Sequence, residues 1–367
     1  MDSTEAFLRL ALIPGLGPIT AQRLIDAADG DPAAVLGWNM SRLQAVDGVG
    51  PERARRICDP KLAESAARER AECHHMGIRL VARDEANYPR ELLQLADPPL
   101  MLWLRGTLET RDRLAVSVVG PRRPSAYGHR QAVRFASGLA RIGATVISGL
   151  ARGVDTAAHQ ASLEHNGRTL AVIGSGLARL YPEENRELAD RIAGQGAVLS
   201  EFPLHTPPSP GTFPRRNRIV AALGLATLVI EAGAQSGALI TARLAGELGR
   251  TVLVVPGNID HPESVGANRL IRDGATLVTS LDDVIEELGP LATLAKASPE
   301  GSVQDLRAQG LSGREKQIYQ LLDDQLRSID DIARIGDIPV SAVSATLLSL
   351  ELRRLARKGA GGYVRAT

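Results

Sequence analysis

Residues 148–155 read Ser148-Gly149-Leu150-Ala151-Arg152-Gly153-Val154-Asp155, directly after the apolar run Ala144-Thr145-Val146-Ile147. A short apolar run, a glycine loop and then helix-forming residues make one strand–loop–helix unit of an α/β sheet. The unit recurs on both sides. Candidate strands fall at 114–119, 144–148, 169–173, 197–200, 225–230, 251–255 and 275–279, with helices beginning near Tyr127, Asp155, Glu183, Arg216, Ser236, Ala267 and Asp282. This alternation predicts an α/β fold around a central, doubly wound, mainly parallel sheet of extended Rossmann-like type.

In such sheets ligands bind beyond the carboxyl ends of the strands, where six glycine- or arginine-rich loops lie. They are Val119-Gly120-Pro121-Arg122-Arg123, residues 148–155, Gly174-Ser175-Gly176, Phe213-Pro214-Arg215-Arg216-Asn217-Arg218, Gly233-Ala234-Gln235-Ser236-Gly237 and Pro256-Gly257-Asn258. Gly149, Gly153, Gly174 and Gly176 let a ligand approach the backbone, and the following helix N-termini add partial positive charge. Arg122, Arg152, Arg216 and Arg218 offer forked donors to phosphate oxygens, and Phe213 offers a ring on which a base can stack. A strand of phosphates is therefore expected to cross the loop mouths on Arg122, Arg152 and Arg218 and on the amides of Ser148 to Gly153 and Gly174 to Gly176. Structural readings compete: Phe213 plugging the sheet edge, Asn217 bracing a loop, Arg152 paired with Asp155, and Arg216 or Arg218 paired with Glu201 or Glu231.

Catalytic equipment is not evident. No Walker sequence follows a glycine loop, and Gly174-Ser175-Gly176 lacks the spacing of a dinucleotide fingerprint. Asp155 and His159 lie one helical turn apart, a spacing that suits a buried structural pair better than an acid–base pair. No enzyme activity, cofactor or metal is expected. Cys73-His74-His75 reads as a surface cluster because adjacent residues on a helix point apart, and Cys58 and Cys73 alone make no disulfide framework. The 43 basic residues nearly balance the 42 acidic ones, which leaves a local basic groove possible. Lysine is confined to Lys61, Lys296, Lys316 and Lys358, so arginine does nearly all the cationic work. Without a long apolar run or a basic leader, a cytoplasmic protein with no membrane contact is expected.

Outside the sheet, Gly15-Leu16-Gly17-Pro18 with Ala21 and Arg23 returns 33 residues later as Gly48-Val49-Gly50-Pro51 with Ala54 and Arg56. This predicts a helical domain over 1–79 with a tandem helix-hairpin-helix-like repeat, which either packs helices or offers backbone amides to phosphates. Residues 80–290 form the sheet domain, entered by a proline-punctuated connector from Asn87 to Gly106 that drapes over it. A linker at 291–310 leads to a winged-helix domain at 311–367, with helices near 312–323, 328–335 and 340–356 and a glycine-turned hairpin.

Taken together, the 148–155 loop with His159, Gly167-Arg168-Thr169, Tyr181-Pro182 with Asn185, Ser200-Glu201, Phe213-Pro214 with Arg216-Asn217-Arg218, Ser236 to Thr241 and Pro256-Gly257 closely resemble the DprA/Smf family. Those bacterial proteins process DNA in natural transformation. The resemblance implies a homodimer that binds single-stranded DNA cooperatively, protects it and loads RecA past single-strand-binding protein. It also implies that a Gly-Ser/Thr-Arg motif corresponds to Gly120-Pro121-Arg122, where proline removes one hydroxyl and one N–H donor. Members often carry a lysine shortly before the matching phenylalanine, whereas Leu204 to Thr212 holds no Lys or Arg, leaving Arg215 or Arg123 to compensate. By the same resemblance Leu281, Val284, Ile285 and Leu288 fall at a two-fold interface; their spacing equally suits packing on the sheet.

Two other functions compete. Nucleoside-monophosphate phosphoribohydrolases resemble the same sheet but place a glutamate after their glycine turn, and Ala234 to Ala242 contains no Glu or Asp. A regulator contacting duplex DNA through the winged helix, or through both terminal domains, is the third class.

Overall fold

The computed structural model describes residues 2–288, 313–322, 327–352, 355–359 and 361–365. They fall into two compact units, Met1–Ala297 and Ser298–Thr367. The expected linker at 291–310 lies outside the described residues.

The first unit opens with six helices: α1 (Ser3–Leu12), α2 (Pro18–Asp26), α3 (Pro32–Val35), α4 (Met40–Gln44), α5 (Pro51–Ile57) and α6 (Lys61–His75). Gly15 and Gly48 take φ of 80° and 85°, a left-handed turn that favours glycine, ahead of the prolines that open α2 and α5. The two copies of the repeat clasp each other. Arg53 donates to the carbonyls of Gly15 and Gly48, Arg56 donates to Pro14 O at 2.7 Å, and Arg23 pairs with Asp47. Cys73 is buried in α6 rather than part of a surface cluster, and burial beside Glu69 and Glu72 pushes its thiol up to about 12.

The central sheet has nine strands in the order β1-β2-β6-β5-β4-β3-β7-β8-β9. They are β1 (Arg79–Ala82), β2 (Met101–Gly106), β3 (Ala115–Val119), β4 (Thr145–Ser148), β5 (Thr169–Val172), β6 (Ala197–Ser200), β7 (Ala226–Val229), β8 (Thr251–Val254) and β9 (Thr276–Leu277). From β6 to β9 every pairing is parallel, while β1–β2 and β2–β6 are antiparallel. All seven expected strands are present. The parallel strands β3 to β7 are buried throughout, which explains why they hold apolar residues with Ser and Thr and no charge.

One expectation fails at β2. The stretch assigned to a draping connector contains a strand inserted between β1 and β6, with Trp103 opposite Ser200. Leu100 to Leu104 are buried, and the Trp103 indole N–H donates to Glu69 of α6 at 2.8 Å. The N-terminal helices thus share a continuous apolar core with this edge of the sheet, from Phe7 and Leu24 to Trp103 and Val198.

Seven helices flank the sheet: α7 (Ala126–Arg141), α8 (Val154–Glu164), α9 (Arg186–Gln195), α10 (Thr212–Leu223), α11 (Gly237–Glu247), α12 (Val265–Arg272) and α13 (Leu281–Leu288). Of these, α10 begins one turn earlier than expected. Pro214 sits in its first turn, where a missing N–H costs no helical hydrogen bond, so Phe213 and Arg216 belong to the helix rather than to the loop. Val284, Ile285 and Leu288 are buried in the core that includes Phe135 and Leu139 of α7, and Leu281 packs on Gly138. That burial fits the alternative their spacing equally allows, packing on the sheet.

The second unit contains α14 (Gly313–Leu321), α15 (Ile329–Gly336), α16 (Val340–Leu352) and a hairpin of β10 (Ala356–Gly359) and β11 (Gly362–Arg365). Three helices and a two-stranded wing make a winged helix. Among its described residues the third helix carries a single charged one, Glu351. Among the described residues no single helix is long and apolar enough to cross a membrane.

Candidate nucleic-acid interface

The chain runs from β3 outward to β6, then returns to the other side of β3 as β7, so the topological switch point lies between β3 and β7. A cleft of about 780 Å³ opens there. Its walls come from Gly120-Pro121-Arg122 after β3, Gly149 and Ala151 after β4, Gly233 to Ala238 after β7, and the first turns of α10 and α11. Two helix N-termini therefore face one space, a setting that favours anions.

Arg122 is the cation at its mouth. The side chain is exposed, its guanidinium lies 5.1 Å from the Phe213 ring centroid, and no acidic partner holds it among the described residues. Arg216 lies beneath. It is buried, donates from Nη1 to Val172 O at 2.7 Å, and its Nε has no hydrogen-bond partner among the described residues. Burial lowers its pKa, Asp155 opposes that shift and Arg122 adds to it. A second anion near Asp155 would relieve the repulsion between the two arginines. Asn217 also lines the cleft.

The close packing depends on missing side chains. A Cβ on Gly149 would overlap the Arg216 guanidinium, and Gly153, at φ 78°, leaves no room for one beside Pro121 O. Gly149→Ala must displace that buried arginine and is expected to destabilise the protein by about 1–3 kcal/mol. Thermal unfolding of the variant checks it.

Other expected contacts change role. Gly149 and Ala151 amides donate to Asp155 Oδ2 at 3.2 Å each, so they brace the loop instead of facing a phosphate. The Gly176 amide donates to Thr206 O at 2.9 Å, a Cβ on Gly176 would overlap the carbonyls of Pro203 and Leu204, and Gly174 packs against Phe213. Ser175 is buried. The 174–176 loop is therefore covered by residues 203–213 and does not line the cleft. Ser148 is buried too, donating to Val118 O at 2.7 Å, and Gly120 packs on Val154.

Arg218 is the largest correction among the arginines. Its side chain is buried, with Nη2 bonded to Glu201 at 2.6 Å and Nε to Asp97 at 3.0 Å, and it is not part of the cleft. Arg215 shares Glu201 at 3.1 Å while lying over Phe202. Arg152 pairs with Glu184 and not with Asp155, through two hydrogen bonds of 2.5 and 2.7 Å. Arg123 is exposed beside Arg122. Glu231 takes none of these arginines; it accepts from the Ser125 amide and hydroxyl at 2.8 and 2.6 Å and fixes the start of α7.

Ile240 and Thr241 of the Ser236 to Thr241 motif line the cleft as well, whereas sequence reading did not single out Glu263, Pro262 or Pro210, which also line it. Glu263 has no spacing relation to the glycine loops, so nothing local in the sequence announces it.

His159 is buried, with Nδ1 at 2.7 Å from Thr169 Oγ1. Burial, and then Arg216, lower its pKa from 6.5 to about 3. Because the folded value is depressed, the unfolded chain takes up the proton first. The stabilisation is complete above pH 6.5 and is lost as pH falls toward 3, by about 1.4 kcal/mol per pH unit. Urea midpoints at pH 7 and 5 are expected to fall further for wild type than for His159→Gln.

The sheet and this cleft define the class: a doubly wound α/β protein with an arginine-bearing cleft at its switch point. The chain belongs to the DNA recombination-mediator protein A family, whose model matches residues 79–289, and the model for the DprA winged helix domain matches residues 304–362. It is 39% identical over 293 residues to Protein Smf of Escherichia coli (strain K12), covering 80% of this chain and 77% of that one. Protein Smf of Synechocystis is 31% identical, with 98% of both chains covered. The X-ray structure of DNA processing protein A from Streptococcus pneumoniae superposes with a TM-score of 0.68 and 32% identity, over 78% of this chain and 98% of that one. DNA processing protein A from Helicobacter pylori, whose structure describes a single-stranded DNA binding mode, matches with a TM-score of 0.52 and 31% identity, over 57% of this chain and 95% of that one.

Proposed function

We propose that this protein binds single-stranded DNA in the switch-point cleft, protects it, and loads RecA onto it during natural transformation. The observation that carries the reading is the unpaired Arg122 over Phe213, with the orphaned Nε of Arg216 beneath. A phosphate between two arginines and a base against one ring is how strand binders combine charge with stacking. Family membership and the single-stranded DNA binding mode described for the Helicobacter pylori protein support the same ligand. The protein acts as a cytoplasmic mediator rather than an enzyme, with RecA, single-strand-binding protein and a second copy of itself as partners.

The test is RecA filament growth on single strands pre-coated with single-strand-binding protein. Addition of this protein is expected to shorten the lag. Unchanged filament growth, despite strand binding, would remove the RecA role and leave a strand-binding protein.

A further inference from the structure

Beyond Phe213 the cleft continues as a row of alternating rings and guanidinium groups. The Tyr181 ring lies 5.9 Å from that of Phe213, tilted by 52°, and Arg152 lies 5.6 Å from the Tyr181 centroid. Arg122, Gly149, Arg216 and these three side chains line one small depression that joins the cleft mouth. Tyr181 is 36% exposed, so its ring can receive a base.

The row ends on a carboxylate. Glu184 holds Arg152 through both oxygens, and Arg152 Nη1 reaches the Tyr181 hydroxyl at 3.3 Å. As a staple for the 181–185 turn this pair is redundant. Asn185, buried, already ties the turn to the β4–α8 loop, donating to Leu150 O and Thr156 Oγ1 at 2.9 Å each. Both partners of the Arg152–Glu184 pair are about half exposed, where ion pairs exchange readily with competing anions. A bidentate carboxylate also occupies the guanidinium edge that a phosphate would take.

We propose that Tyr181 is a second stacking station for the bound strand, and that Glu184 is an exchangeable counter-ion that yields Arg152 to the phosphate arriving between the two rings. The inference rests on the single-strand reading of the cleft. The strand then passes from Arg122 and Phe213 to Tyr181 and Arg152, and Glu184 weakens binding by competing for the second cation.

The experiment is anisotropy of a labelled oligothymidine across a salt series, with Glu184→Gln, Tyr181→Ala, Tyr181→Phe and Arg122→Ala. Glu184→Gln is expected to bind roughly three- to tenfold more tightly, with a salt slope steeper by about one unit. Tyr181→Ala is expected to bind roughly five- to a hundredfold more weakly, and Tyr181→Phe to stay within about twofold of wild type. Tyr181→Phe as weak as Tyr181→Ala would overturn the stacking role. Wild-type behaviour of both Glu184→Gln and Tyr181→Ala, with binding lost in Arg122→Ala, overturns the second station and leaves the strand-binding reading standing. Full binding by Arg122→Ala overturns that reading, and the second station with it.

Discussion

Arg122→Ala is expected to lower affinity for oligothymidine by about 2 kcal/mol, roughly thirtyfold, and to flatten the salt slope by about one unit. The size follows from the surroundings. The guanidinium is exposed, has no acidic partner among the described residues, and lies over Phe213, so its removal costs the folded protein little and the complex a charge-assisted bond. Proline at position 121 raises the dependence on this one side chain, since its ring supplies no N–H to a neighbouring phosphate oxygen. Arg122→Lys is expected to restore the salt slope but only part of the affinity, because an ammonium does not fork.

Arg218 gives the opposite outcome. Arg218→Met removes one partner of a buried pair and leaves Glu201, only 2% exposed, with the half-exposed Arg215 as its remaining cation. Breaking such a pair is expected to cost about 3–5 kcal/mol of stability, read from urea unfolding, while the folded fraction keeps its affinity for single strands. Glu201→Leu in the same chain is expected to recover much of the loss, since the uncompensated buried charge is gone. Burial already holds the Glu201 carboxyl above its usual range in spite of Arg218 and Arg215, a sign of how costly its ionised form is there.

The contrast between these two arginines marks the limit of what the sequence discloses. Both lie in arginine-rich runs that open on a proline, Pro121-Arg122-Arg123 and Pro214-Arg215-Arg216-Asn217-Arg218, and composition gives them the same value. Only tertiary structure brings Asp97, 121 residues away, to the Arg218 Nε. The parallel strands were legible because burial on both faces imposes mainly apolar, charge-free runs, and the loops because close packing requires glycine at positions such as 149 and 153. Strand β2 was not, since Pro98-Pro99 suggests a connector and only its partners β1 and β6 make residues 101–106 a strand. Backbone donors misled in the same way. Gly149 and Ala151 amides look free in the sequence, yet Asp155, six and four residues on, takes them both.

The same logic applies to the N-terminal repeat and to α13. In the N-terminal repeat, the arginines of one hairpin are spent on carbonyls of both, which supports helix packing as their role. The family resemblance assigns α13 to the two-fold contact, and its buried Val284, Ile285 and Leu288 also share a core with α7. A helix that must cover a sheet and a helix that must cover a partner carry the same periodicity, and sequence spacing alone does not tell them apart.

The central claim is that single strands occupy the switch-point cleft. Its most direct measurement is the salt dependence of oligothymidine binding, beside a matched duplex, for wild type, Arg122→Ala and Arg218→Met. Single-strand preference, a slope flattened by about one unit in Arg122→Ala, and a Arg218→Met line parallel to wild type are predicted. Duplex preference, or an Arg122→Ala slope equal to wild type, would contradict the account and move DNA binding away from the cleft.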